Sequence, residues 1–303
     1  MGHHHTNTHQ HNLQKYHVPH HSIWPIVGSI GLFITALGAA NFIQQSTGVV
    51  NNQGSWGWLM LLAGLGILVY MMFGWFGDTV HESLAGMNNH QLDISYRMGM
   101  KWFIFSEVMF FGAFFGALFY TRLLAIPWLS GAGSEGMTHE ILWPDFQAMW
   151  PLVKTPDGRE LEAMSPWGLP LLNTVLLISS SAFLTVAHHA LLENKRGKII
   201  TNLGIALVLG FTFMYVQALE YYHAYMHMGL TLKAGIYGTT FFMLTGFHGL
   251  HVTIGATMLL IMWIRCLRGH FTPKNHFAFE AAAWYWHFVD VVWIFLFFVV
   301  YWL

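Results

Sequence analysis

The chain has 303 residues, of which 55% are hydrophobic and only 9% charged, with a formal net charge of −1. An average soluble domain carries roughly 25% charged residues, so a soluble fold could not keep this much apolar surface off its exterior, and the chain reads as a polytopic membrane protein. The near-zero charge gives no basis for a nucleic-acid partner, and the single cysteine, Cys266, excludes an internal disulfide framework, an iron–sulfur cluster and a Cys-rich zinc site.

Residues 1–22 form a polar, His-rich tail, with three adjacent His after Met-Gly and further His at 9, 11, 17, 20 and 21. Such tracts bind metals weakly. No basic segment precedes a small-residue cleavage site, so the first span is expected to act as its own insertion signal. Within a membrane domain of residues 23–303, seven apolar spans are expected near 24–43, 56–76, 98–121, 168–192, 199–223, 235–264 and 281–302, the sixth being the longest. Each suffices to cross roughly 30 Å of hydrocarbon. Trp24, Trp56, Trp58, Trp75, Trp167 and Trp302 sit near span ends, as an interfacial aromatic belt requires. Nine Lys and Arg fall on the side of the N-terminus against four on the other, which predicts a cytoplasmic N-terminus and an outer C-terminus. The one long extramembrane piece, 123–167, lies on the outer side. It is too Pro-rich for a helical domain and is expected to be an ordered loop that covers something.

The third span, MGMKWFIFSEVMFFGAFFGALFYT, holds Glu107 about 13 Å from Met98, which opens the run. Its helical neighbours are Phe103, Ile104, Phe110, Phe111 and Phe114, and its own helix offers it no basic partner. An acid at this depth is a functional-site candidate, expected here as a neutral, protonated carboxyl or as a hydrogen-bond clasp to another helix.

The other intramembrane polar groups allow several readings. Glu220 and His223 have the Glu-x-x-His spacing of di-iron bundles, but in one copy only. His248 and His251 share a helix face and, with His287 or His188, could ligate a haem. Against this, His248, His251, Thr245 and nearby glycines also make a small, polar packing face. His287 and Asp290 lie one turn apart, close enough for a hydrogen bond that fixes a tautomer or supports a proton relay. A transporter with Glu107 and Asp290 as relay is a further reading, although no inverted repeat is visible. Gly28, Gly31 and Gly38, then Gly64 and Gly66, then Gly112 and Gly116, mark faces for close helix approach.

The stretch Phe279-Glu-Ala-Ala-Ala-Trp-Tyr-Trp-His-Phe-Val-Asp-Val-Val-Trp293 strongly resembles subunit III of the haem–copper cytochrome c oxidases. So do Ile104-Phe-Ser-Glu-Val-Met-Phe-Phe111, Pro170-Leu-Leu-Asn-Thr174, Ala187-His-His-Ala190, Gln217-Ala-Leu-Glu-Tyr-Tyr222, Tyr237-Gly-Thr-Thr-Phe-Phe242 and Thr245-Gly-Phe-His-Gly-Leu-His-Val252, in order. The resemblance implies an all-α integral membrane fold of seven transmembrane helices in a 2 + 5 arrangement around a V-shaped, lipid-filled cleft. It implies a subunit with no catalytic residue and no haem, copper or other metal of its own. Haem A and copper belong to partner subunits. The implied partners are subunit I directly, subunit II, a small subunit IV, phospholipids, and cytochrome c as donor to the complex. A related quinol oxidase subunit is the alternative. The implied roles are packing against subunit I, stability of the complex, support of proton uptake there, and oxygen access.

Residue by residue, Glu107 matches the family's membrane glutamate, with His287 and Asp290 beside it as proton-path or structural groups. Trp75, Asp78, His81 and Glu82 match a lipid-binding segment closing the second helix, with Phe76, Gly77 and His81 departing from the pattern. His81 replaces an Arg that contacts a lipid phosphate. Arg265 matches a basic position that touches lipid headgroups. The long outer loop points to a bacterial form in the plasma membrane, with the C-terminus periplasmic.

Overall fold

The computed structural model describes residues 22–46, 56–133, 136–154 and 161–303, and they form helices, turns and loops without a strand. Of the His-rich tail only Ser22 falls among them. Seven of the described helices are long and apolar enough to cross a membrane. The chain divides into two compact units, Met1–Tyr96 and Arg97–Leu303.

The first unit is the hairpin of α1 (Trp24–Ser46) and α2 (Gly57–Leu84). Its antiparallel register is written in glycine. Gly28 faces Met71, Gly31 faces Ile67 and Leu68, Gly38 faces the Leu61 backbone, and Gly64 faces the Thr35 backbone. At Gly38 and Gly64 a Cβ would collide with the main chain of the partner helix, so only glycine permits this approach. Gly38→Val is therefore expected to splay the hairpin, costing about 1–3 kcal/mol or more. Thermal denaturation of the chain in lipid would measure it. The far end of the hairpin is tied by Trp24, whose indole Nε1 donates to Asp78 Oδ2 at 2.7 Å.

The unit boundary falls inside α3 (His90–Tyr120), which runs through a π-helical turn, Thr121–Ala125, into α4 (Ile126–Leu129). The continuous helix has 40 residues, so the third span and not the sixth is the longest. Sequence hydropathy alone misses its first turns, which are polar. Asn89 accepts the Leu92 amide at 2.8 Å, and Asp93 lies in the first turn, where a carboxylate complements the helix dipole.

The segment 123–167 carries two short helices: α4 lies near its start and α5 (Gly136–Leu142) follows. Pro127 sits in the first turn of α4, where its missing N–H leaves no bond unmade. Parts of the segment pack into the helical core. Leu152, Leu161 and Met164 are buried in the core, the Met164 amide donates to Tyr237 Oη at 3.1 Å, and Arg122 lies 5.8 Å from the Trp150 ring centre.

Four long helices complete the second unit: α6 (Leu169–Leu192), α7 (Arg196–His227), α8 (Gly235–Leu267) and α9 (Phe277–Leu296), the last ending in a π-helical turn, Phe297–Trp302. α9 with its final turn is the most enclosed, with 67% of its apolar window buried against at most 44% in any other span. Its Trp286 is fully buried between Gly210 of α7 and Gly255 of α8, each lacking the Cβ that would meet the ring. Trp293 stacks edge-on against Phe213 at 4.9 Å and donates Nε1 to Thr174 Oγ1 at 3.0 Å. Arg97 at the head of the unit pairs with Glu280 in the first turn of α9 at 2.7 Å. Trp56, Trp58, Trp167 and Trp302 are exposed near helix ends, whereas Trp75 is exposed within α2, which continues as helix to Leu84.

Candidate functional site

Glu107 does have a partner, on another helix. Its Oε2 lies 2.6 Å from Nε2 of His251, so the acid of α3 is clasped to α8 by residues 144 positions apart. The other ring nitrogen, Nδ1, lies 2.6 Å from the carbonyl oxygen of Phe247. A carbonyl oxygen only accepts, so Nδ1 carries a hydrogen and donates. That fixes the chemistry of Nε2. A neutral ring with hydrogen on Nδ1 has a lone pair on Nε2, which must accept from a protonated Glu107. The alternative is an imidazolium donating to a carboxylate. A neutral ring facing an ionised carboxylate would oppose two lone pairs at 2.6 Å and is ruled out. Both surviving arrangements hold one proton between the helices and carry no net charge, which is what an apolar medium tolerates.

The expectation of a bare protonated acid is thus refined to a pair that shares its proton. Aromatic side chains surround it. Phe111 lies edge-on to the His251 ring at 4.9 Å, Phe110 lies at 5.8 Å, and Phe110 also meets Phe247 at 5.1 Å. The Phe stripe around Glu107 therefore walls the pair as well as the acid. The side chains of Glu107 and His251 keep 21% and 10% of their accessibility, so the site is enclosed without being sealed.

His248 is buried and points its Nε2 at the carbonyl of Val289 in α9, 3.1 Å away. Each of the two α8 histidines therefore spends Nε2 on a neighbouring helix, which is the packing-face reading. The His287–Asp290 hydrogen bond does not form: His287 Nε2 reaches Thr185 Oγ1 of α6 at 3.4 Å, Asp290 faces Ser181, and Asp290 Oδ1 has no hydrogen-bond partner. Both residues face α6 and do not make a relay between themselves. The Glu-x-x-His pair diverges too. Glu220 is fully buried, whereas His223 is exposed and faces His227 at 5.1 Å.

Among the lipid candidates, Trp75 stacks on Phe76 at 5.9 Å and is exposed, as are Asp78 and His81, while Glu82 is half-buried. Asp78 already accepts from Trp24, so one of its oxygens serves the hairpin. Arg265 is buried with its guanidinium 4.5 Å from the Phe271 ring centre, and its Nε has no hydrogen-bond partner. Sequence reading missed the Glu107–His251 clasp, the Arg97–Glu280 pair and a bond from Tyr301 to Glu220. Each joins residues on different helices, and only the isolated intramembrane acids hinted that such partners exist.

The family model described as cytochrome c oxidase subunit III matches residues 14–303. The chain belongs to the cytochrome c oxidase subunit III family. A relative from Marchantia polymorpha named cytochrome c oxidase subunit 3 is 41% identical over 288 residues, covering 95% of this chain and 96% of its own. One of the same name from Tetraodon nigroviridis is 38% identical over 293 residues, covering 96% and 98%. A third, from Arabidopsis thaliana, is 40% identical over 289 residues, covering 95% and 96%. Glu107, His251 and the α9 motif all lie inside the matched region, so the clasp is part of a subunit III domain and of an oxidase complex.

Proposed function

We propose that this chain is the non-redox subunit III of a proton-pumping cytochrome c oxidase, seated directly against subunit I in a complex with subunit II and a small subunit IV. Haem A and copper reside in those partners, which take electrons from cytochrome c and pass them to oxygen. The observation that carries this reading is the family match from residue 14 to the last residue, together with relatives of that name over nearly the full length of both chains. The engagement of Nε2 in both His248 and His251 supports it, because the two α8 histidines are committed to neighbouring helices.

In this reading the chain stabilises the complex, sustains proton uptake by subunit I, gives oxygen access along a lipid-filled cleft between a two-helix and a five-helix group, and holds phospholipid. Glu107 and His251 contribute a neutral, proton-holding unit inside the membrane. His287 and Asp290 face α6 and serve structure. The Lys and Arg count favours a cytoplasmic N-terminus and an outer C-terminus. The relatives named above come from plants and a fish, so assignment to a bacterial plasma membrane rests on the length of the 123–167 loop alone. The test is depletion and add-back: the oxidase stripped of this chain should begin turnover and then lose activity faster than the intact complex, and the purified chain should restore it. Equal decay with and without the chain would overturn the reading.

The lipid role makes a separate prediction. A phosphate oxygen would give Arg265 Nε the partner it lacks; separately, Trp75, Asp78, His81 and Glu82 hold lipid on the first unit. Arg265→Leu keeps the stem's apolar packing but removes the cation. It is expected to release at least one phospholipid per chain, read by phosphorus analysis or native mass spectrometry. Unchanged phospholipid content would contradict the assignment of Arg265.

A further inference from the structure

Glu220 lies outside the Glu107 clasp, and nothing described so far uses it. It is fully buried on α7, inside a cluster with Asn173 of α6, Gln217 one turn before it, and Tyr301 in the last turn of the chain. Tyr301 donates its hydroxyl to Glu220 Oε1 at 2.6 Å. Asn173 Nδ2 donates to Gln217 Oε1 at 3.1 Å. Gln217 turns its amide towards Glu220 and Tyr301 without closing a hydrogen bond to either. Three buried atoms of this one cluster are left without partners: Glu220 Oε2, Gln217 Nε2 and Asn173 Oδ1. The groups facing Glu220 are the phenols of Tyr221, Tyr237 and Tyr301. Among the described residues no Lys, Arg or His is hydrogen-bonded or ion-paired to it.

We propose that Glu220 is held as a neutral carboxylic acid and that, with Gln217 and Asn173, it binds one internal water molecule between α6, α7 and the C-terminal turn. One water closes every open donor and acceptor of the cluster. An ionised carboxylate would put an unpaired charge on Oε2 in an apolar interior, where isolated charges are not sustained. As an acid, Glu220 accepts from Tyr301 at Oε1 and has an O–H to donate at Oε2. Gln217 has an N–H to donate, and Asn173 has a carbonyl that can only accept. A water that accepts from Glu220 and Gln217 and donates to Asn173 satisfies all three, and three bonds is the usual number for a buried water. Without it, three polar groups stay unpaired in one place, which buried polar networks do not tolerate.

The test uses the full-length chain in lipid nanodiscs. The infrared difference spectrum between wild type and Glu220→Gln is expected to lose one carbonyl band of a protonated carboxylic acid, shifted in heavy water because the acid is hydrogen-bonded. A high-resolution map is expected to show one water density touching Glu220, Gln217 and Asn173. Glu220→Gln keeps a donor at the same place and is expected to fold as wild type. Glu220→Leu leaves Tyr301 and the amides unpaired and is expected to shift the unfolding equilibrium about tenfold or more. Loss of a carboxylate band in place of the acid band would overturn the proposal, as would a map with no density between the three side chains.

Discussion

Replacing His251 by leucine is expected to destabilise the second unit by about 3–5 kcal/mol, because it leaves Glu107 inside the membrane without the group that shares its proton. The loss should be asymmetric between the partners. Glu107→Gln places an amide N–H against the Nε2 lone pair of His251, with Nδ1 still donating to Phe247. It therefore keeps the interhelical bond while removing the exchangeable proton, and should cost no more than about 1 kcal/mol. Glu107→Leu strands His251 in turn and should cost more than Glu107→Gln. Chemical denaturation of the three variants in the same detergent ranks them. If Glu107→Gln and Glu107→Leu were equally damaging, the proton, and not the bond, would be the element that matters.

Gly255→Leu is expected to be strongly destabilising. A Cβ at Gly255 would lie 2.9 Å from Trp286 Cε3, and one at Gly210 would lie 2.8 Å from Trp286 Cη2. The indole is fully buried between these two helices and has nowhere to move. Overpacking a dense core typically costs about 1–3 kcal/mol, and occasionally more where nothing can yield. A branched side chain driven into the face of a tryptophan belongs to the upper end of that range. Gly66→Leu is the matched control, since no atom lies within 4 Å of a Cβ built there. It should be neutral in the same assay. A destabilised Gly66→Leu beside an unaffected Gly255→Leu would show that the glycine spacing, and not the contact with Trp286, governs packing.

The contrast among these glycines shows what the sequence could and could not carry. Most were visible as small residues at helical spacing, Gly210 being the exception, yet Gly38, Gly64, Gly210 and Gly255 are required by close neighbours while Gly66, Gly112 and Gly116 face open space. Spacing identifies a face but not what meets it. The seven spans were legible because apolar runs of membrane length have few other solutions. Their ends were less so, since α3, α7 and α8 continue as helix past the apolar core through polar turns such as His90–Arg97. The candidate site divides in the same way. Glu107 declared itself by its cost in an apolar run, and His251 was visible as a polar residue of α8, but nothing local joins two residues 144 apart. Glu220 was drawn towards His223 by sequence proximity, whereas its bonded partner, Tyr301, lies 81 residues away in the last turn. Short motifs told which family the helices resemble. The pairing of intramembrane acids depended on packing.

In the proposed function this chain carries no redox centre of its own and works by joining subunits that do. Purification of the full-length chain from its own membranes under mild conditions, followed by absorption spectroscopy before and after it is stripped from its partners, tests this directly. A haem- and copper-bearing chain should co-purify, the Soret band should leave with that partner, and the stripped chain should be spectrally silent. A stoichiometric Soret band on the isolated chain, or purification without any haem-bearing partner, would contradict the account.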